Sequence, residues 1–185
     1  FLLPIGSVSD PEGFEGSATT LSEWLGRGAG ERDSRAFNDE LDGLGVRRGG
    51  GAGRETTSVS VSMLAQSLPR ALPLVADMIR RPRLEDDEFA GARELAVQEL
   101  ESLEDSPGQK LNVHLNAGFF TSAHRRSAYG TAEGLARLTP ESVREDYAAR
   151  FAPAGMIIAA AGGADWNELS LLVEEQFGDW QGEPP

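Results

Sequence analysis

His114 and His124 are the only imidazoles in the chain, and cysteine is absent. That inventory limits the chemistry before any fold is considered. Without cysteine there is no thiolate nucleophile, no disulfide and no Cys-based zinc site. A serine hydrolase would need an imidazole base and a strained Gly-x-Ser-x-Gly turn, and no such turn occurs. A hydrolytic zinc site takes three ligands from His, Glu and Asp, two of them commonly one helical turn apart. No pair of histidines has that spacing. His114 falls in a helical stretch and His124 in a turn, so both are read as structural. Carboxylates alone hold a hard cation weakly, and no Asp/Glu loop has calcium-hand spacing. Gly49-Gly50-Gly51-Ala52-Gly53 follows Arg47 and Arg48, but it leads into a strand and lacks the Gly-Lys-Ser/Thr element. It reads as an irregular or closely approached backbone rather than a phosphate cradle.

The elements that would position any site are read from periodicity. The apolar opening, residues 1–8, is expected to be a strand, at an edge or bulged because of Pro4. Residues 57–64 alternate, with Val59, Val61 and Met63 on one side and serines on the other, as a half-buried strand does. Residues 155–161 form a continuous apolar run, expected as a strand buried on both faces. Helical spacing predicts helices at about 17–26, 34–44 (capped by Asp33 or Ser34), 67–80, 85–104, 107–120, 140–151 and 165–177. Pro82 ends the fourth of these segments' predecessor, the helix over 67–80, and Thr139 with Pro140 opens the helix over 140–151. The pattern argues for an α+β fold: a single α/β unit, with a mixed, mostly antiparallel sheet backed by helices.

Length and composition fit one domain over residues 1–185, with 39% hydrophobic residues. The net charge of −13 excludes non-specific nucleic-acid binding, which needs clustered Lys and Arg. The one dense basic stretch, Arg80, Arg81 and Arg83, is read as a solvated helix end. No apolar window is long enough for a membrane-spanning helix. The opening lacks the basic region of a signal peptide. The absence of cysteine and the preference for Arg over Lys lead to the expectation of a bacterial cytoplasmic protein, or a periplasmic one if a signal precedes Phe1. The apolar start without Met is taken as the mark of a piece of a longer chain.

Laid end to end, several segments resemble one peptidase family. FLLPIGSVSDPEGFEGSA is similar to a strand, a G-S-x-x-E-P turn and a Gly that leads into a zinc-binding helix. Leu44-Gly45 and Arg54-Glu55-Thr56-Thr57 resemble the L-G-G … T-S-x-E-x-T segment, and ALPLVADMIRRP, residues 71–82, resembles A-L-x-L-L-A-D-M-L-x-x-P. Residues 93–100 resemble E-R-x-V-V-L-E-E-I, Tyr129-Gly130-Thr131-Ala132-Glu133 resembles L-G-T-x-E, and residues 151–163 resemble Y-x-P-x-N-M-x-L-x-x-x-G. Together they resemble the first α/β half of an M16 (pitrilysin/insulinase, mitochondrial processing peptidase-like) metallopeptidase.

The resemblance implies where a zinc site would sit. Active members carry H-x-x-E-H on the helix after the Gly, and the matching positions here are Thr19, Ser22 and Glu23. Thr is not a competent zinc ligand, and the Ser22 hydroxyl cannot act as a base near neutral pH. The third ligand position matches Glu99, which is retained. An Asn that helps hold peptide in active members is replaced by Gly49 or a neighbour. The expectation is therefore a catalytically inactive half with no catalytic residue and no metal of its own. Zinc would come from an active M16 partner, as a second subunit or a second half. The two would form a dimer-like chamber for peptide substrates. Two alternatives are an active zinc metalloendopeptidase with a divergent site, and a scaffold subunit resembling the core proteins of the bc1 complex.

Overall fold

The computed structural model describes residues 1–182. Among them the sheet has three strands, β1 (Leu2–Leu3), β2 (Arg47–Ala52) and β3 (Thr57–Ser62). They are antiparallel and lie in the order β1-β3-β2. β3 keeps the alternation expected of it, with Thr57 and Val59 buried and Ser60 and Ser62 exposed. The helices are α1 (Ser17–Leu25), α2 (Ser34–Gly43), α3 (Leu68–Arg80), α4 (Asp86–Ser102), α5 (Pro107–Phe119), α6 (Ala132–Arg137), α7 (Pro140–Arg150) and α8 (Trp166–Phe177). None is long and apolar enough to cross a membrane.

Local chemistry explains most boundaries. The Asp33 side chain accepts the Ala36 N–H at 2.8 Å and starts α2. Thr139 and Ser142 form a reciprocal capping box, with Pro140 in the first turn of α7. Asp165 accepts the N–H groups of Asn167 and Glu168 and starts α8. α6 is a short helix that periodicity passes over, capped by Thr131.

Three strand expectations are corrected. Residues 1–8 contribute only Leu2–Leu3 to the sheet, and Ser7–Ser9 form a 3-10 turn. Pro4 offers no N–H to a ladder, and Ile5 turns into the core, where its carbonyl accepts Thr57 Oγ1 at 2.7 Å. Residues 47–52, read as irregular, are a full strand paired with β3 from Arg47↔Ser62 to Ala52↔Thr57. The glycines are what permit it. Gly50 has φ +121° and lies so close to β3 that a Cβ would sit 2.1 Å from the Ser58 carbonyl oxygen. Residues 155–161 are not a buried strand. They make one bridge, Leu2↔Ile157, and Ile157 is 58% exposed. With β1 only two residues long, there is little edge for that run to pair with.

The centre of the core is α1. It packs on β2, α4, α6 and α7, and seven of its nine residues are buried. Trp24 is fully buried, edge-on to Phe89 at 4.9 Å between ring centroids, and its Nε1 donates to the Glu85 carbonyl. α3 lies against α8, and α2 adds Phe37 and Leu41. α5 buries no residue and stands off the core.

Gly130 shows how tightly the chain closes on the start of α1. It has φ +72°, and a Cβ there would lie 2.5 Å from Gly16 Cα and 2.6 Å from the Glu15 carbonyl oxygen. Both obstacles are backbone, so no side chain can move aside. Gly130→Ala is expected to cost about 2–4 kcal/mol, combining left-handed strain with overpacking. Thermal unfolding checks it, and an unchanged midpoint would refute the close approach.

Candidate active site

The start of α1 is fixed by a carboxylate from outside the helix. Asp10 accepts the Gly16 N–H at 2.8 Å and the Ala18 N–H at 3.0 Å, so it caps the helix from six residues upstream of Gly16. Asp10 is itself buried, and Arg150 Nη2 approaches its Oδ1 at 3.5 Å. The same guanidinium is paired with Asp146, whose Oδ2 also accepts Ser17 Oγ. Burial pushes the Asp10 pKa up to about 6, against the opposing pull of the two helix N–H groups and of Arg150. This network is absent from the sequence reading. Asp10 and Arg150 lie at opposite ends of the chain, and no local pattern joins them.

Thr19, Ser22 and Glu23 follow along α1. Thr19 is 3% exposed, and its hydroxyl donates to the Ala128 carbonyl at 2.5 Å. Ser22 donates its hydroxyl to the Thr19 carbonyl at 3.0 Å, within the helix. Glu23 reaches the surface beside α4, where it shares a shallow cavity with Leu95, Gln98, Glu99 and Ser102. The structure therefore brings Glu23 and Glu99 together. Partial burial, and next the Glu23 charge, raise the Glu99 pKa above the usual carboxylate value.

This set does not fit a zinc ion. Thr19 offers a neutral oxygen already committed to Ala128, Ser22 offers a hydroxyl turned back on its own helix, and two like-charged carboxylates remain. Among the described residues no three of His, Cys, Asp and Glu converge. His114 and His124 are exposed. His124 Nε2 lies 3.7 Å from Glu55 Oε1, beside the Phe120 ring.

Next to Ser22 and Glu23 runs a groove of about 370 Å³ along β2. Its walls include Asn38, Arg48 and Gly49 to Gly51, with Met78 in the floor. Arg48 lies over the Phe37 ring at 5.4 Å and donates to Asn38 Oδ1. Gly49, at the position matched to the peptide-holding Asn of active members, lines the groove, while Asn38 and Arg48 are polar groups that the sequence reading did not single out. Among the described residues β2 pairs only with β3, so its other edge, beside this groove, has no strand partner there.

Comparison with known proteins agrees with this geometry. The family description Insulinase (Peptidase family M16) matches residues 2–132. Cytochrome b-c1 complex subunit 1, mitochondrial, of Caenorhabditis elegans is 29% identical over 181 residues, covering 97% of this chain and 38% of that protein. An uncharacterized zinc protease of Mycobacterium tuberculosis is 27% identical over 175 residues, covering 94% of this chain and 40% of that one. The chain thus spans about two-fifths of the length of these curated relatives. Among solved structures, the peptidase M16 inactive domain from Pseudomonas fluorescens superposes with a TM-score of 0.85 at 20% identity, covering 99% of this chain and 45% of that one. With a central helix after a buried cap, a three-stranded sheet and a family match over most of its length, the chain belongs to the insulinase family of peptidases, M16.

Proposed function

We propose that this M16 peptidase-like unit is catalytically silent and pairs with a zinc-bearing M16 half to wall a peptide chamber. The observation that carries the reading is the fate of two of the hydroxyls on α1, Thr19 and Ser22. Thr19 is spent on the Ala128 carbonyl, and Ser22 stands where a water-activating carboxylate would be needed. A wall needs shape, charge and a sheet edge, not a metal. The other edge of β2, beside the groove, suits an extended peptide added as one more strand. The charge of −13 favours cationic segments.

The test is reconstitution. The purified chain is expected to carry no stoichiometric zinc and to cut no peptide alone. Mixed with a zinc-bearing M16 half, it should raise chelator-sensitive cleavage of basic peptides. Zinc at one equivalent, or cleavage by the isolated chain, would overturn the reading. That outcome would favour an active enzyme that draws on Glu23, Glu99 and a further donor. A second reading, a scaffold subunit, is favoured by the similarity to cytochrome b-c1 complex subunit 1. Recovery in a membrane complex rather than with a soluble M16 partner would select it.

A further inference from the structure

The amphipathic order of α5 is reversed. A surface helix normally turns its apolar face to the protein. Here Leu111, Leu115 and Phe119, one turn apart in succession, are 58%, 57% and 81% exposed. The face turned to the protein carries Gln109, Asn112 and Asn116, with Val113 among them, and lines a cavity of about 220 Å³. Arg54, Arg126 and Tyr129 belong to the same lining.

The two arginines are fixed by one turn of chain. The Arg54 carbonyl accepts the Val8 N–H at 3.0 Å, and its guanidinium lies over the Phe120 ring at 4.5 Å and donates from Nη1 to the His124 carbonyl at 3.4 Å. Arg126 Nη1 donates to the Val8 and Asp10 carbonyls. Nε and Nη2 of both arginines, and the carboxamides of Gln109, Asn112 and Asn116, make no hydrogen bond among the described residues. Neither arginine forms an ion pair there. Glu55, next in the chain to Arg54, lies 3.7 Å from His124 Nε2, and Glu15 accepts the Gly13 N–H at 3.1 Å. Residues 106–132 include three cations, Lys110, Arg125 and Arg126, and no Asp or Glu, in a chain of net charge −13.

We propose that this cavity binds a carboxylate carried by a peptide, at its chain end or on an acidic side chain. A guanidinium presents N–H groups in a planar fork that matches a carboxylate, and a carboxamide adds donors without adding charge. A carboxylate is a monoanion, so it meets both arginines with the least repulsion from the acidic chain as a whole. A basic peptide bearing one carboxylate satisfies both fields, the distant one through its cations and the local one through its anion. Ala128, whose carbonyl accepts the Thr19 hydroxyl, also lines the cavity. The cavity therefore meets α1 at Thr19, one turn from Ser22 and Glu23, where the groove along β2 meets it. That a peptide carries the carboxylate rests on the chamber reading; the affinity of the cavity for a carboxylate does not.

Two titrations of the full chain, both with chelator present, test this. In the first, sodium acetate is expected to shift the side-chain NH2 resonances of Gln109, Asn112 and Asn116, and sodium chloride at equal ionic strength is not. Arg54→Gln, and Asn112→Asp, which sets a fixed carboxylate in the cavity, should each suppress the shifts. Unchanged Leu21 and Trp24 amide resonances confirm that each variant is folded. The second uses the peptide acetyl-Leu-Arg-Val-Arg-Leu in three forms: with a free terminal carboxylate, with a terminal amide, and with a terminal amide and Glu in place of Val. One or both carboxylate forms should bind about fivefold or more tighter than the uncharged-end form, the scale of a charge-assisted hydrogen bond at a partly exposed site. Asn112→Asp should erase that difference, and the form that gains identifies a chain end or a side chain as the source. Shifts no larger with acetate than with chloride would overturn the site. Acetate shifts without a gain for either carboxylate peptide would overturn the peptide as carrier. Neither outcome depends on cleavage, so both are distinct from the discovery of zinc or activity in the isolated chain, which would overturn the silent-half reading instead.

Discussion

Arg150→Met is expected to remove about 3–5 kcal/mol of stability at pH 7, because it leaves Asp10 and Asp146 buried without their cation. Methionine keeps most of the buried stem, so the loss reports charge rather than volume. The pH dependence separates this from ordinary core damage. Asp10 has a folded pKa of about 6 against an ordinary 3.8, so its contribution to stability is fully present below about 4 and is lost as pH rises through 6. The difference of roughly two units corresponds to about 3 kcal/mol. The wild-type chain should therefore gain Asp10-linked stability between pH 7 and pH 5, and Asp10→Asn should flatten that part of the profile. In Arg150→Met the gain on acidification should be larger, because the remaining carboxylates favour the protonated form more strongly once the guanidinium is gone. Urea unfolding from pH 4 to pH 8 measures all three. An Arg150→Met variant within about 0.5 kcal/mol of wild type at pH 7 would show that the cluster is not what anchors α1.

That cluster also marks where sequence reading stops. Helices announced by local chemistry were legible: α7 from Thr139 and Pro140, α2 from Asp33, and the end of α3 from Pro82. β3 was legible from its serine–valine alternation. β2 was not, because glycines carry no side chain to show a period, and its strand character comes from pairing with β3. The apolar run at 155–161 has the composition of a buried strand, but among the described residues it pairs only through the Leu2↔Ile157 bridge, and periodicity cannot report a neighbour. For the site, the resemblance points to Thr19, Ser22, Glu23 and Glu99, and the fold sets Glu23 beside Glu99. What no local pattern could reveal is the partner of each hydroxyl. Ala128 and Thr19 meet only because the turn before Gly130 closes against the start of α1.

The same geometry predicts what happens when imidazoles are put back. Positions 19 and 23 lie one turn apart on α1 and so share a face, and Glu99 stands across from position 23 on α4. The double variant Thr19→His/Glu23→His is expected to take up one equivalent of zinc, with Glu99 as the third protein ligand and an open fourth position. The substitution at position 19 carries a cost. It enlarges a side chain that is 3% exposed and leaves the Ala128 carbonyl without its donor. Without metal the variant should therefore be less stable by about 2–4 kcal/mol, and zinc should restore stability by mass action. Adding Glu99→Gln should weaken zinc binding by at least about 10–100-fold, the scale for losing a supporting group, since here a direct ligand goes. Metal content per chain and the zinc-dependent shift of the unfolding midpoint measure both effects. A folded double variant that takes up no zinc would mean that α1 and α4 have drifted out of ligand geometry. Zinc held equally well by the Glu99→Gln form would mean that Glu99 stands near the site without belonging to it. Uptake that depends on Glu99 would place the loss of metal in this chain at Thr19 and Glu23, on a scaffold that still has the shape to hold it.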